Sequence, residues 1–334
     1  MIRRAVSMGG ASLALALTAM PVLASDTPGE GVEIRPASSS IAEEQFQLQV
    51  LVKGLEELGY EVEPHMELEY PAMHLGMANG DITLNATYWD PLHKAFYENS
   101  GGPETLWLSD VFVPDSVQGY LIDKATAEKH GIKTIDQLTD PEIAKIFDVD
   151  GNGKADLTGC NPGWGCERVI EHHLVEYGLK DTVEHNQGSY FALMADTLTR
   201  FENGDPVLYY TWLPLWVSNL LAPGEDVVWL EVPYTSLPDG QKAETELTDG
   251  RNLGFAVNNQ RVVANREWIE ENPAAKAFLD AAFLPVSAIN AQNLLMQEGE
   301  DSADDIERHA VEWIEQNRAD FDSWLKAARA AAAS

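Results

Sequence analysis

Basic residues are scarce in this chain. Lysine and arginine number 22 against 54 aspartates and glutamates, for a formal net charge of −32. A surface of that sign repels phosphate backbones and anionic lipid headgroups, which excludes nucleic acid and membrane surfaces as partners. It suits a protein that stays in solution at high salt, where self-repulsion is screened. Cysteine is rarer still, with Cys160 and Cys166 alone. A disulfide framework is therefore excluded. With 334 residues, 45% of them hydrophobic, the core does not need one. No second cysteine or histidine pair sits at ligand spacing, so a zinc site is not expected, and neither is a cofactor. No Ser/His/Asp arrangement stands out. After residue 24, no apolar run is long enough to cross a bilayer. Internal repeats and low-complexity linkers are also missing.

The first residues carry one feature of their own. Arg3 and Arg4 precede an apolar run from Ala11 to Leu23, and Val22-Leu23-Ala24 reads as a cleavage site. Residues 1–24 are thus expected to be a secretory signal peptide, and the mature protein to be exported to the periplasm. Removal of the two arginines would take the net charge from −32 to −34. In an oxidising compartment the two cysteines suit a disulfide. Two buried thiols are the alternative.

Strand and helix patterns alternate along the rest. Strands are expected at Gly31–Ile34, Tyr60–Val62, Ile82–Trp89, Gly119–Asp123, Val207–Trp212, Val227–Val232 and Gly254–Val257. Ser40-Ile41-Ala42-Glu43 reads as a capping box for a helix to Leu58. Further helices are expected at Cys166–Leu179, Tyr190–Glu202, Arg266–Ala282, Val286–Gly299 and Ser302–Ala328. The alternation argues for an α/β fold with largely parallel sheets. No composition break divides the chain simply. A discontinuous arrangement is expected, with residues 25–115 and 235–334 in one lobe and 116–234 in the other. The crossings are placed near 113–118 and 232–237, where Pro, Ser or Asp separates strand-like runs.

Most of the nine tryptophans fit core packing, as Trp268, Trp313 and Trp324 do in their helical patterns. Three stand apart. Trp89 and Trp212 end apolar strands, where ligands gather in α/β folds. Trp164 lies in Cys160-Asn161-Pro162-Gly163-Trp164-Gly165-Cys166, a turn that runs straight into a helix. An aromatic face attracts a cation, and a helix N-terminus attracts an anion. The two together suit a small zwitterion.

The runs Trp89-Asp90-Pro91-Leu92-His93, Asp156 to Cys166, His185-Asn186-Gln187-Gly188 and Tyr209-Tyr210-Thr211-Trp212 resemble the periplasmic glycine betaine/proline betaine-binding proteins of ABC importers (the ProX type). So do Gly119-Tyr120-Leu121-Ile122-Asp123 and Ile289-Asn290-Ala291-Gln292-Asn293. The resemblance covers essentially the whole mature chain. It implies a two-lobed type II binding-protein fold, mixed sheets flanked by helices, with the ligand cleft between lobes. It also implies a transport role without catalysis. The expected ligand is a small zwitterionic quaternary ammonium compound, and the expected partner is the importer's permease, met by a monomer. Carried over, Trp89, Trp164 and Trp212 would box the ammonium. His93 and the N–H groups of Gly165 and Cys166 would meet the carboxylate, and Cys160–Cys166 would be a disulfide. Asp90, Leu213 and Leu215 depart from the pattern beside the box.

Other readings follow from single features. Choline or carnitine would fit the same aromatic cage. Tryptophans also stack on sugars. A free Cys166 at a helix N-terminus would make a hydrolase nucleophile. Finally, Asp148, Asp150, Asn152, Lys154 and Asp156 follow the first part of an EF-hand loop, with Gly153 at its turn. A weak calcium site there lacks its last ligand, since Gly159 stands where a glutamate is needed.

Overall fold

The computed structural model describes residues 25–333. The expected signal peptide lies outside them. The main elements, in chain order, are α1 (Ala42–Glu57), α2 (Tyr70–Asn79), β1 (Leu84–Asp90), β2 (Leu106–Asp123), β3 (Ala155–Thr158), α3 (Gly165–Glu176), β4 (Val183–Asn186), α4 (Tyr190–Glu202), β5 (Leu208–Leu213), β6 (Val227–Leu230), β7 (Asn258–Asn265), α5 (Pro273–Ala281), α6 (Val286–Gln297), α7 (Ala303–Gln316) and α8 (Arg318–Ala332).

One strand organises the sheet. β2 is 18 residues long. Its first part, to Ser116, pairs with β7, which pairs in turn with β1. Its second part, from Val117, pairs with β5 on one side and β6 on the other. The full order is β1-β7-β2-β5-β3-β4, with β6 beside β2. Between the two parts Asp115 takes φ 54, and the register against β7 slips around Gln260. Such a bulge bends the strand. Only the pairs of β3 with β4 and β5 are parallel in this sheet; the rest are antiparallel. The expectation of largely parallel sheets is therefore corrected to a mixed sheet. Alternating helices and strands predict parallel pairing only when each strand returns through its own crossover. Here β2 serves both halves and breaks that pattern.

Apolar side chains divide accordingly. Phe46, Leu51, Phe112, Phe278 and Trp324 belong to a core that α1 and α5–α8 make with β1, β7 and the first part of β2. Ile122, Phe147, Ile170, Leu208 and Leu230 belong to a second core. That second core runs on through Trp164 and Trp212 to Trp89 and Tyr70, so the two halves meet through aromatic rings.

Several boundaries differ from expectation. The helix over 266–282 breaks at Asn272, because Pro273 opens α5. The helix from Ser302 breaks at Asn317 between α7 and α8. Gly254–Val257 is not a strand; Gly254 has φ +81, and β7 starts just after it. The capping box at Ser40 does not form: Ile41 is the N-cap of α1 and has no side-chain bond. Ser39 takes over, accepting the Ile41 N–H at 3.1 Å and donating to Glu44 at 2.6 Å. Glu43 and Glu44 turn inward and are buried.

Candidate functional site

The three singled-out tryptophans come from three different elements. Trp89 is next to last in β1, Trp212 lies in β5, and Trp164 is the N-cap of α3. The Cys160–Cys166 disulfide forms and closes the loop that carries Trp164. Neither sulfur is therefore a free nucleophile, and the hydrolase reading loses its residue. Within the loop Gly163 has φ +90, a conformation suited to glycine, and its N–H donates to Glu167 at 2.6 Å.

Trp89, His93, Trp164, Gly165, Cys166 and Trp212 line one narrow cavity of about 20 Å³, so the walls stand close together and must part to admit a ligand. Trp164 and Trp212 stand edge to face, their centroids 5.8 Å apart. All three indoles are at most 5% exposed, so a cation between them would be stripped of water. Five further residues join the wall: Ile41, Tyr70, Leu92, Gln118 and Tyr210. The sequence carried a signal for one of them. Tyr210 and Trp212 are two apart on a strand and so share a face. Tyr70 and Gln118 had no such signal, because the contacts that bring them in are tertiary.

The same cavity also offers donors. His93 Nδ1 accepts the Trp89 backbone N–H at 3.3 Å. In a neutral ring that places the proton on Nε2. Burial first, and then nearby His74, holds the His93 pKa well below its usual range, so the ring stays neutral. At the start of α3, Trp164 makes no side-chain capping bond. The first N–H groups of a helix lack intrahelical acceptors, which leaves those of Gly165 and Cys166 for a ligand. Gly165 also lies tightly against Leu92. A Cβ there would lie 2.6 Å from Leu92 Cγ.

Carboxylates stand behind the rings. Glu44 Oε1 accepts from Trp89 Nε1 at 2.8 Å and from Tyr70 Oη at 2.9 Å. Glu69 Oε2 accepts from Trp164 Nε1 at 2.8 Å. Burial pushes the neighbouring Glu43 carboxyl up to about 8.

The acidic loop is a separate place. The carboxylates of Asp148, Asp150 and Asp156 come within 4.8 Å of one another. Asp148 accepts the N–H groups of Gly151 and Gly153, and Asp156 accepts those of Val149 and the Asn186 side chain. Asn152 Oδ1 accepts the Lys154 N–H.

Comparison with known proteins identifies the family. Residues 32–316 match the family described as the substrate binding domain of ABC-type glycine betaine transport systems. The chain is 51% identical over 330 residues to the glycine betaine-binding periplasmic protein OusX of Dickeya dadantii, covering 98% of this chain and 99% of the relative. It is 49% identical over 315 residues to the glycine betaine/proline betaine-binding periplasmic protein of Escherichia coli, covering 94% and 96%. In fold it is similar to lactococcal OpuAC in its closed, glycine betaine-bound conformation, with a TM-score of 0.67 at 19% identity, over 88% of this chain and 99% of that one. The two-lobed type II binding-protein fold is therefore this chain's fold, and its relatives are transport components rather than enzymes. The chain belongs to the family of substrate-binding domains of ABC-type glycine betaine transport systems.

Proposed function

We propose that this chain captures glycine betaine, and proline betaine by the same chemistry, in the periplasm and hands it to the permease of an ABC importer. The convergence of three indoles, one imidazole N–H and an uncapped helix N-terminus on a single cavity carries this reading. A trimethylammonium group has no N–H to donate, so a carboxylate cannot hold it by hydrogen bonds. Its charge is spread over methyls and is weakly hydrated. A desolvated indole face contributes about 2 kcal/mol to such a cation. Three faces give roughly 6 kcal/mol, against the roughly 8 kcal/mol net of a micromolar complex. Methyl burial and charge-assisted bonds from His93, Gly165 and Cys166 supply the rest.

In this reading the protein acts as a monomer of two lobes, residues 25–115 with 235–334 and residues 116–234, hinged near 113–118 and 232–237. Trp89 and His93 come from the first lobe. Trp164, Gly165, Cys166 and Trp212 come from the second. A ligand that touches both sets favours closure, and the closed form is what a permease can recognise. Titration calorimetry with glycine betaine tests this directly. Micromolar binding at one site is expected, and no heat at millimolar ligand would sink the proposal.

A further inference from the structure

Two of the three box indoles give their ring N–H to a glutamate. Trp89 donates to Glu44 and Trp164 to Glu69, each at 2.8 Å. Glu44 is 1% exposed and also takes the hydroxyls of Tyr70 at 2.9 Å and Ser39 at 2.6 Å. Three donors on two oxygens is the pattern of a carboxylate. Burial raises its pKa, and the bonds from Ser39, Trp89 and Tyr70 offset only part of that rise.

An indole N–H needs only an acceptor. A carbonyl, an amide or a water would serve without the cost of burying a charge. What a carboxylate adds is negative potential. It lies at the N–H edge of the ring and pushes electron density onto the face; from buried Glu44 it acts on a cation through a site walled from water, and from exposed Glu69 it acts more weakly. A neutral solute of the same shape feels neither effect.

We propose that Glu44 and Glu69 are positioning residues that make the box select for positive charge: they fix the Trp89 and Trp164 rings and supply the anionic layer behind them. The inference rests on the reading of this cavity as the quaternary ammonium site. Glu44 acts within one wall. Glu69, at the start of α2, reaches across to the disulfide-closed loop and so acts between walls.

Glycine betaine and 3,3-dimethylbutanoate form the test pair. The second has the same shape and carboxylate, with a neutral quaternary carbon in place of nitrogen. Glu44→Gln keeps the bonds, since Oε1 still accepts Trp89 and Tyr70 while Nε2 can donate to Ser39, but it removes the charge. Calorimetry on wild type, with the isostere read by displacement of betaine, first tests the reading itself. If wild type binds no betaine, the functional reading fails rather than this inference. In E44Q betaine affinity should fall roughly tenfold, and in E69Q, where solvent screens the charge, roughly threefold, while isostere affinity falls in neither. Equal losses for both ligands would mean that the carboxylates only pack, and no loss for betaine would mean they do nothing. Either result overturns the proposal. Should E44Q fail to fold, E69Q decides alone, because Glu69 is exposed and its loss leaves the core untouched.

Discussion

At the residue scale, the two ends of the ligand are separable. Replacing Trp89, Trp164 or Trp212 by alanine removes one face of the cage, and betaine affinity should fall by about 2 kcal/mol or more, close to thirtyfold. His93→Phe tests the other end. The neutral Nε2–H is a charge-assisted donor to a carboxylate, and its loss should cost about 1.5–3 kcal/mol for betaine. Choline brings no carboxylate, so its binding should be nearly unchanged in the same variant. Calorimetry with both ligands reads the difference; a parallel loss for choline would show that His93 merely supports the wall. Some of this was legible in the sequence and some was not. The three tryptophans stood out by their places at strand ends and in the cysteine-bounded turn, whereas His93 entered only through the family resemblance. Tyr70 and Glu44 could not be placed. An inward-facing glutamate in the first turn of a helix looks, in sequence, like a capping residue, as Glu43 does. Its burial depends on α1 facing the box, which only tertiary packing decides.

At the element scale, α4 fell where its apolar spacing put it, at Tyr190–Glu202. β7 was missed because Asn258-Asn259-Gln260-Arg261 reads as a loop. Its polar side chains are nevertheless used: Asn258 accepts the Leu92 N–H at 3.0 Å, and Gln260 donates to Ser116 at 3.2 Å. The start of α1 carries the fold's clearest pH dependence. The Glu43 pKa is raised from 4.5 to about 8 by burial, and then by Glu44 beside it. Between those values the folded state holds a proton that the unfolded chain has released. Its contribution is fully present below about 4.5 and is lost as pH rises through about 8. Each unit within that window costs about 1.4 kcal/mol. Thermal melts of wild type should therefore fall in Tm from pH 5 to pH 8 more steeply than melts of Glu43→Gln. Equal slopes would mean that Glu43 is not the group responsible. The disulfide acts on an element too. It closes a short loop, so reducing it should cost about 2 kcal/mol in the chain-entropy model, and it should also weaken betaine binding by loosening Trp164.

At the scale of the whole molecule, β2 is the strand both halves share, and the aromatic box is one place where they touch. The cavity is built from both sides: Trp89 and His93 against Trp164, Gly165, Cys166 and Trp212. A ligand stabilises the closed form only as far as it binds that form better than the open one. In the proposed site betaine would do so at both ends, its methyls meeting indoles from each wall and its carboxylate bridging His93 to the start of α3. Choline keeps the cation and loses the bridge. In a closed cleft it would leave the Gly165 and Cys166 N–H groups desolvated and unpaired, at about 1–3 kcal/mol each. Choline should therefore bind on the order of a hundredfold more weakly than betaine. At equal occupancy it should also close the molecule less completely. Small-angle scattering measures this as a drop in radius of gyration on adding betaine and a smaller drop with choline. If the two ligands contract the protein equally at saturation, the helix N-terminus plays no part in closure, and the aromatic cage alone drives the change.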